Sequence, residues 1–107
     1  MMTFDAVLRL VGTIDAVELE HWIEERWVLP ERGTAGYFFR EVDVARVHLI
    51  AELRRDLAID EEAMPLVLNL LDQVYRLHGQ LRALAAAVEA QPAEVRDAVL
   101  ARLAGDG

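Results

Sequence analysis

Ionisable side chains crowd one short stretch of this chain, where Asp15, Glu18, Glu20, His21, Glu24 and Glu25 stand against a single Arg26. Catalysis would need a nucleophile beside a base, a poised acid and base, or a metal. Serine and cysteine are absent, and His21, His48 and His78 lie far apart with no pair at the i,i+4 spacing of a metal-binding helix. The remaining carboxylates are scattered over solvent-facing positions, and no spacing singles out a glycosidase-like pair. The residues therefore predict no enzyme, no metal and no cofactor. His48 reads as a satisfied or half-exposed histidine and His78 as a flank of an apolar seam. The acidic run has two readings: a solvated face, which most charge runs are, or a surface complementary to a basic helix, whose attraction would set partner choice and weaken with salt. On the second reading Glu18, Glu20, His21, Glu24 and Glu25 are the partner-binding residues.

The elements that must carry this run can be traced in order. Thr3 caps a helix over residues 4–11, with Met2 and Val7 placed as a hydrophobic staple and Gly12 as its stop. Asp15 with Glu18 three residues on is a capping-box variant opening a second helix, whose apolar face is Val17, Leu19, Trp22, Ile23 and Trp27. Two short helices with so brief a connection predict a helix-turn-helix. Pro30 ends that pattern. Residues 32–36 read as a loop by Gly33 and Gly36, and Tyr37-Phe38-Phe39 is β-prone, so residues 27–40 predict a small hairpin wing. Trp22, Trp27 and the three wing aromatics are expected to form core, with one or two left as an interface anchor.

A third helix over residues 41–57 is expected to turn Val42, Ala45, Leu49, Ile50, Leu53 and Leu57 inward and Glu52, Arg54 and Arg55 outward. Asp60 should cap a fourth, with Glu61 and Glu62 in its first turn and Pro65 just beyond, and with Ala63, Leu66, Leu68 and Leu71 available to pack on the preceding elements. Along that helix Val67, Leu70, Val74, Leu77, Leu81, Leu84 and Val88 alternate by three and four residues, a coiled-coil seam that predicts a homodimer. Gly79 weakens its middle by about 1 kcal/mol relative to alanine without breaking it. Pro92 opens a last short helix with Val95, Val99 and Leu103 inward. The expected fold is thus mainly α: a winged helix-turn-helix with a small β-hairpin wing over 1–58, then a long dimerisation helix and a short C-terminal helix over 59–107.

Composition bounds the function. The 107 residues, 54% hydrophobic and 28% charged, suffice for one compact domain or for a domain plus a long helix. Nineteen acidic against eleven basic residues give a net charge of -8, which disfavours nucleic acid and anionic membranes because both need cationic side chains. Without cysteine there is no disulfide or thiolate site. No targeting segment or membrane-spanning run is visible, so a cytoplasmic protein is expected.

Leu19 to Pro30 (LEHWIEERWVLP), the Gly36-Tyr37-Phe38-Phe39-Arg40 run and the Leu57-Ala58-Ile59-Asp60 turn into a long helix resemble the MerR family over residues 3–90. That family's wing carries a Gly-Tyr-Arg-Tyr motif, and its last long helix forms an antiparallel dimeric coiled coil. The valine and leucine seam would by itself suit a parallel pair; the antiparallel arrangement is what the resemblance implies. The WVLPER segment, the aromatic wing and the run ARVHLIAELRRDLAIDEEAMPLVLNLLDQV look like the CbpM chaperone-modulator group, MerR-like partners and inhibitors of the DnaJ-like co-chaperone CbpA that bind its J domain. The resemblance thus implies a J-domain inhibitor, and the acidic run of the second helix suggests the surface that would cover the basic helix by which J domains engage Hsp70. Glu20 stands where the DNA-binding members carry an arginine, turning attraction to phosphate into repulsion, and Phe38 replaces their wing arginine, which removes a donor. The alternatives are a MerR-like transcriptional regulator using Arg9, Arg32, Arg40 and the Arg54-Arg55 pair, or a dimerisation module for some other basic protein.

Overall fold

A computed structural model describes residues 1–106, and the chain divides into two units, Met1–Leu68 and Asn69–Gly107. The first unit opens with a strand that no sequence pattern announces. Met2–Thr3 (β1) pairs antiparallel with Gly36–Phe39 (β3), which pairs on its other side with Glu31–Gly33 (β2), in the order β1-β3-β2. A two-residue strand carries no alternation to read; it exists because β3 offers it an edge. The loop expected over 32–36 shrinks to Thr34 and Ala35, since Arg32 pairs with Tyr37 and Gly33 with Gly36, whose φ of 117° only glycine adopts readily.

Phe4–Val11 (α1) forms as its caps dictate: the Ala6 amide donates to Thr3 Oγ1 at 3.2 Å, and Gly12 closes the helix at φ 71°. Ala16–Glu24 (α2) carries the reciprocal box, the Glu18 amide donating to Asp15 Oδ1 at 2.9 Å and the Asp15 amide to Glu18 Oε1 at 3.4 Å. It ends in a Schellman motif, with the Trp27 amide on the Trp22 carbonyl at 2.9 Å and the Arg26 amide on the Ile23 carbonyl at 3.0 Å. Arg26 occupies the left-handed position at φ 64°, where a side chain is strained. Arg26→Gly is accordingly expected to stabilise the protein by about 0.5 to 1 kcal/mol, the relieved strain exceeding glycine's extra chain entropy; thermal unfolding by circular dichroism measures it. The apolar face of α2 is narrower than expected. Leu19 and Trp22 are buried, whereas Val17 is 75% exposed.

Glu41–Arg55 (α3) begins where expected but is rotated. Val47, Ile50, Ala51 and Leu53 are buried, while Val42, Ala45 and Leu57, expected inside, are exposed. The helix has two adjacent apolar stripes, and its start selects between them. Asp43 is buried and must be paired: Arg40 donates to it from its backbone amide at 2.9 Å, from Nε at 3.1 Å and from Nη2 at 3.3 Å. That clamp, above all its hydrogen bond, holds the Arg40 guanidinium even above its ordinary pKa.

The fourth helix, Met64–Glu89 (α4), starts later than the acidic cap suggests. Asp60 Oδ1 does accept from the Ala63 amide at 3.0 Å, but residues 61–63 form a turn. Pro65 explains the delay, because in a helix already begun it would press on the Glu61 carbonyl and leave it without a donor; from Met64 onward it sits in the first turn, where no donor is needed. Met64 and Leu68 are the buried residues of this end. Leu66, expected to pack, is 64% exposed. The core of the first unit is built on Val7, Leu19, Trp22, Trp27, Val28, Phe39, Val47, Ile50 and Met64.

In the second unit α4 continues unbroken through Gly79 to Glu89, and Ala93–Asp106 (α5) follows Pro92. Val95 and Leu103, expected inward, are exposed, and Val99 is half-buried. Among the described residues no helix is long and apolar enough to cross a membrane.

Candidate functional site

The charges of α2 are divided between its two sides. Glu18 and His21 face the rest of the first unit: Arg55 Nη2 donates to Glu18 Oε1 at 3.0 Å, and His21 Nε2 is bonded to Glu61 Oε1. The His21 ring also meets Trp27 edge-on at 5.8 Å. These contacts tie α2 to the last turn of α3 and to the turn before α4. Val17, Glu20 and Glu24, spaced by three and four residues, form the outward stripe, and Glu25 is exposed at the helix end. Of the five residues singled out for a partner, two are thus already engaged within the chain. The carboxylates of Glu20, Glu24 and Glu25 make no hydrogen bond or ion pair among the described residues, though the charges of Glu24 and Glu25 act on His21.

The His21–Glu61 bond raises the His21 pKa, the hydrogen bond contributing most, burial opposing it, and the charges of Glu61, Glu25 and Glu24 adding to it. A histidine whose folded pKa is raised contributes stability fully below its unfolded value of 6.5 and loses it as pH climbs through the folded value. Glu61→Gln should therefore lower the melting temperature relative to the parent at about pH 6 and leave it unchanged at about pH 9. Parallel thermal melts across that range check the direction; a deficit that persisted at the alkaline end would mean the pair acts through packing.

The wing presents its aromatics on both faces. Tyr37 and Phe39 share one, with the Phe4 ring 6.4 and 6.5 Å away respectively. Arg32 lies opposite Tyr37, its Nη2 donating to the phenol oxygen at 3.1 Å and its guanidinium 5.2 Å from the ring centre. Phe38 takes the other face, its ring lying across Gly33 so closely that a Cβ there would be 2.5 Å from Cε2. Between the start of α1, α2 and the wing lies a cleft of about 330 Å³ lined by Phe4, Asp5, Glu20, Tyr37 and Phe38, among others. Asp5 escaped sequence reasoning: it is legible as a first-turn acid of α1, but only the fold brings it to the same cleft as Glu20.

The arginines available for DNA are mostly committed. Arg32 is on Tyr37, Arg40 on Asp43, Arg55 on Glu18, and Arg54 Nη1 donates to the Ile59 carbonyl at 2.6 Å. Only Arg9 of the five candidates has no such contact among the described residues. No group of three histidine, aspartate or glutamate side chains is arranged to hold a metal among the described residues.

The proposed seam is solvent-exposed along most of α4. Leu70, Val74, Leu77, Leu81 and Leu84 are exposed, and Val67 and Val88 half-buried. Because the leucines remain open, α5 does not cover them.

No curated protein and no solved structure matches the chain significantly. A family model described as MerR HTH family regulatory protein matches residues 4–86. That span takes in both short helices, the wing, α3 and most of α4, and the chain belongs to the MerR helix-turn-helix family of regulatory proteins.

Proposed function

We propose that the protein is a non-catalytic inhibitor of a DnaJ/CbpA-like co-chaperone, binding its J domain through the outward face of α2, and that it works as a homodimer joined along α4. The observation that carries this reading is the pair of exposed carboxylates, Glu20 and Glu24, which make no hydrogen bond or ion pair among the described residues, on the outward stripe of the helix that would have to approach DNA. A basic protein helix is attracted where a phosphate backbone is repelled. The net charge of -8 and the likeness of the WVLPER and ARVHLIAELRRDLAIDEEAMPLVLNLLDQV segments to the CbpM group support the same assignment. Glu18 and His21 then serve to fix α2 in place, while Glu20, Glu24 and Glu25 meet the partner.

Titration calorimetry against a J domain tests it. Neutralising Glu20, Glu24 and Glu25 with glutamine should weaken binding by about tenfold, since exposed charge pairs contribute a few tenths to 1 kcal/mol each, and should flatten the salt dependence. Unchanged affinity and unchanged salt dependence would move the surface elsewhere.

Family membership favours a second reading, transcriptional regulation by DNA binding. With four of five candidate arginines engaged within the chain, a low-salt gel-shift assay on genomic fragments is expected to show no retarded species; a retarded species would establish this reading.

A further inference from the structure

We propose that the cleft between α1, α2 and the wing receives one arginine side chain of the partner, its guanidinium held by the carboxylates of Asp5 and Glu20 and laid against the Phe38 ring. This rests on the reading of the α2 face as a protein-binding surface and specifies what anchors there.

The cleft, about 330 Å³, lies at the lower end of the range for ligand pockets. It holds a single long side chain and is too small for a helix. Phe4, Tyr37 and Phe38 form part of its wall and its two charged residues are both acids, each exposed and without a hydrogen bond or ion pair among the described residues. Carboxylates only accept hydrogen bonds, so the occupant must donate. The wing's own arginine does not fill this role, because Arg32 is turned onto the Tyr37 hydroxyl. At the turn the mouth is open, since even a Cβ on Gly36 would meet nothing within 4 Å. A guanidinium suits every part of this arrangement: it donates in a planar fork, reaches two carboxylates at once and stacks on a ring. An ammonium, more strongly hydrated and without a flat face, uses the aromatic wall less well.

The test is an NMR titration of the full chain with N-acetyl-arginine methylamide, alongside the lysine and the uncharged citrulline analogues. Arginine should saturably shift the signals of Phe38 and Gly36, citrulline should not, and lysine should bind more weakly. In the Asp5→Asn/Glu20→Gln variant, whose substitutions are near-isosteric and exposed, the arginine dissociation constant should rise about tenfold. Equal responses to arginine and citrulline, equal affinity for lysine, or an unaltered constant in the variant would each overturn the assignment. A J-domain arm separates it from the functional reading: a J domain that binds parent and variant alike overturns the cleft alone, whereas failure of the J domain to bind the parent, with the arginine response intact, overturns the partner alone.

Discussion

Replacing Leu77 and Leu81 together with aspartate is expected to yield a folded monomer. Both leucines are more than half exposed in the single chain, at 56% and 65%, and Leu84 beside them is 62% exposed. An apolar stripe three and four residues apart on a helix running from Met64 to Glu89 is what the proposed homodimer would cover. In a symmetric pair each substitution acts twice, removing four leucines at about 1.5 to 3 kcal/mol each and placing four carboxylates in the seam. A loss of that size moves the dissociation constant by more than four decades. The helix itself should survive, because aspartate at an exposed helical position costs roughly 0.7 kcal/mol. Neither leucine belongs to the core of the first unit, so its folding should be unaffected. Light scattering reads the oligomeric state and circular dichroism the helix content; a variant that still dimerised would refute the seam.

The largest single-site loss of stability should come from Phe39→Ala. Phe39 is fully buried at the end of β3, paired with Met2 across the sheet and 6.5 Å from the Phe4 ring. Removing a buried phenylalanine costs about 3 to 5 kcal/mol, the transfer free energy plus the cavity left behind. That is much of the roughly 5 to 15 kcal/mol by which small proteins are stable, so the urea midpoint should fall steeply. Phe38→Ala offers the control one residue away. Its ring is half-exposed on the opposite face of the sheet, and its removal should cost about 1 kcal/mol or less. If the two variants were equally stable, the burial pattern of β3 would be wrong. The pair also separates scaffold from surface, since only Phe38 lines the cleft opposite Glu20.

Local signals in the sequence were enough for the caps. Thr3, Gly12, Asp15 and Glu18 act on atoms three or four residues away, and each does in the structure what its chemistry dictates. The wing's aromatic strand and the long apolar repeat were legible for the same reason, whereas the MerR-like family was legible only as a resemblance of motifs to known proteins. The faces of the helices were less so. Val17, Val42, Leu57 and Leu66 are apolar and correctly spaced, yet exposed. Helical periodicity identifies a stripe but not which of two neighbouring stripes meets the rest of the protein, and Asp43 locked to Arg40 decides the matter for α3.

The candidate site divides along the same line. From sequence alone follow the acidity of the second helix, the capped short helices and the apolar repeat of the fourth helix, because each depends on residue type and near spacing. Tertiary structure alone decided that Glu18 and His21 turn inward to Arg55 and Glu61, that Met2–Thr3 becomes a strand, that four of the five candidate arginines are held within the chain, and that Asp5 and Glu20 share an aromatic cleft. The Glu18–Arg55 and His21–Glu61 pairings join residues 37 and 40 positions apart, and their energies depend on which surfaces the packed core leaves facing one another.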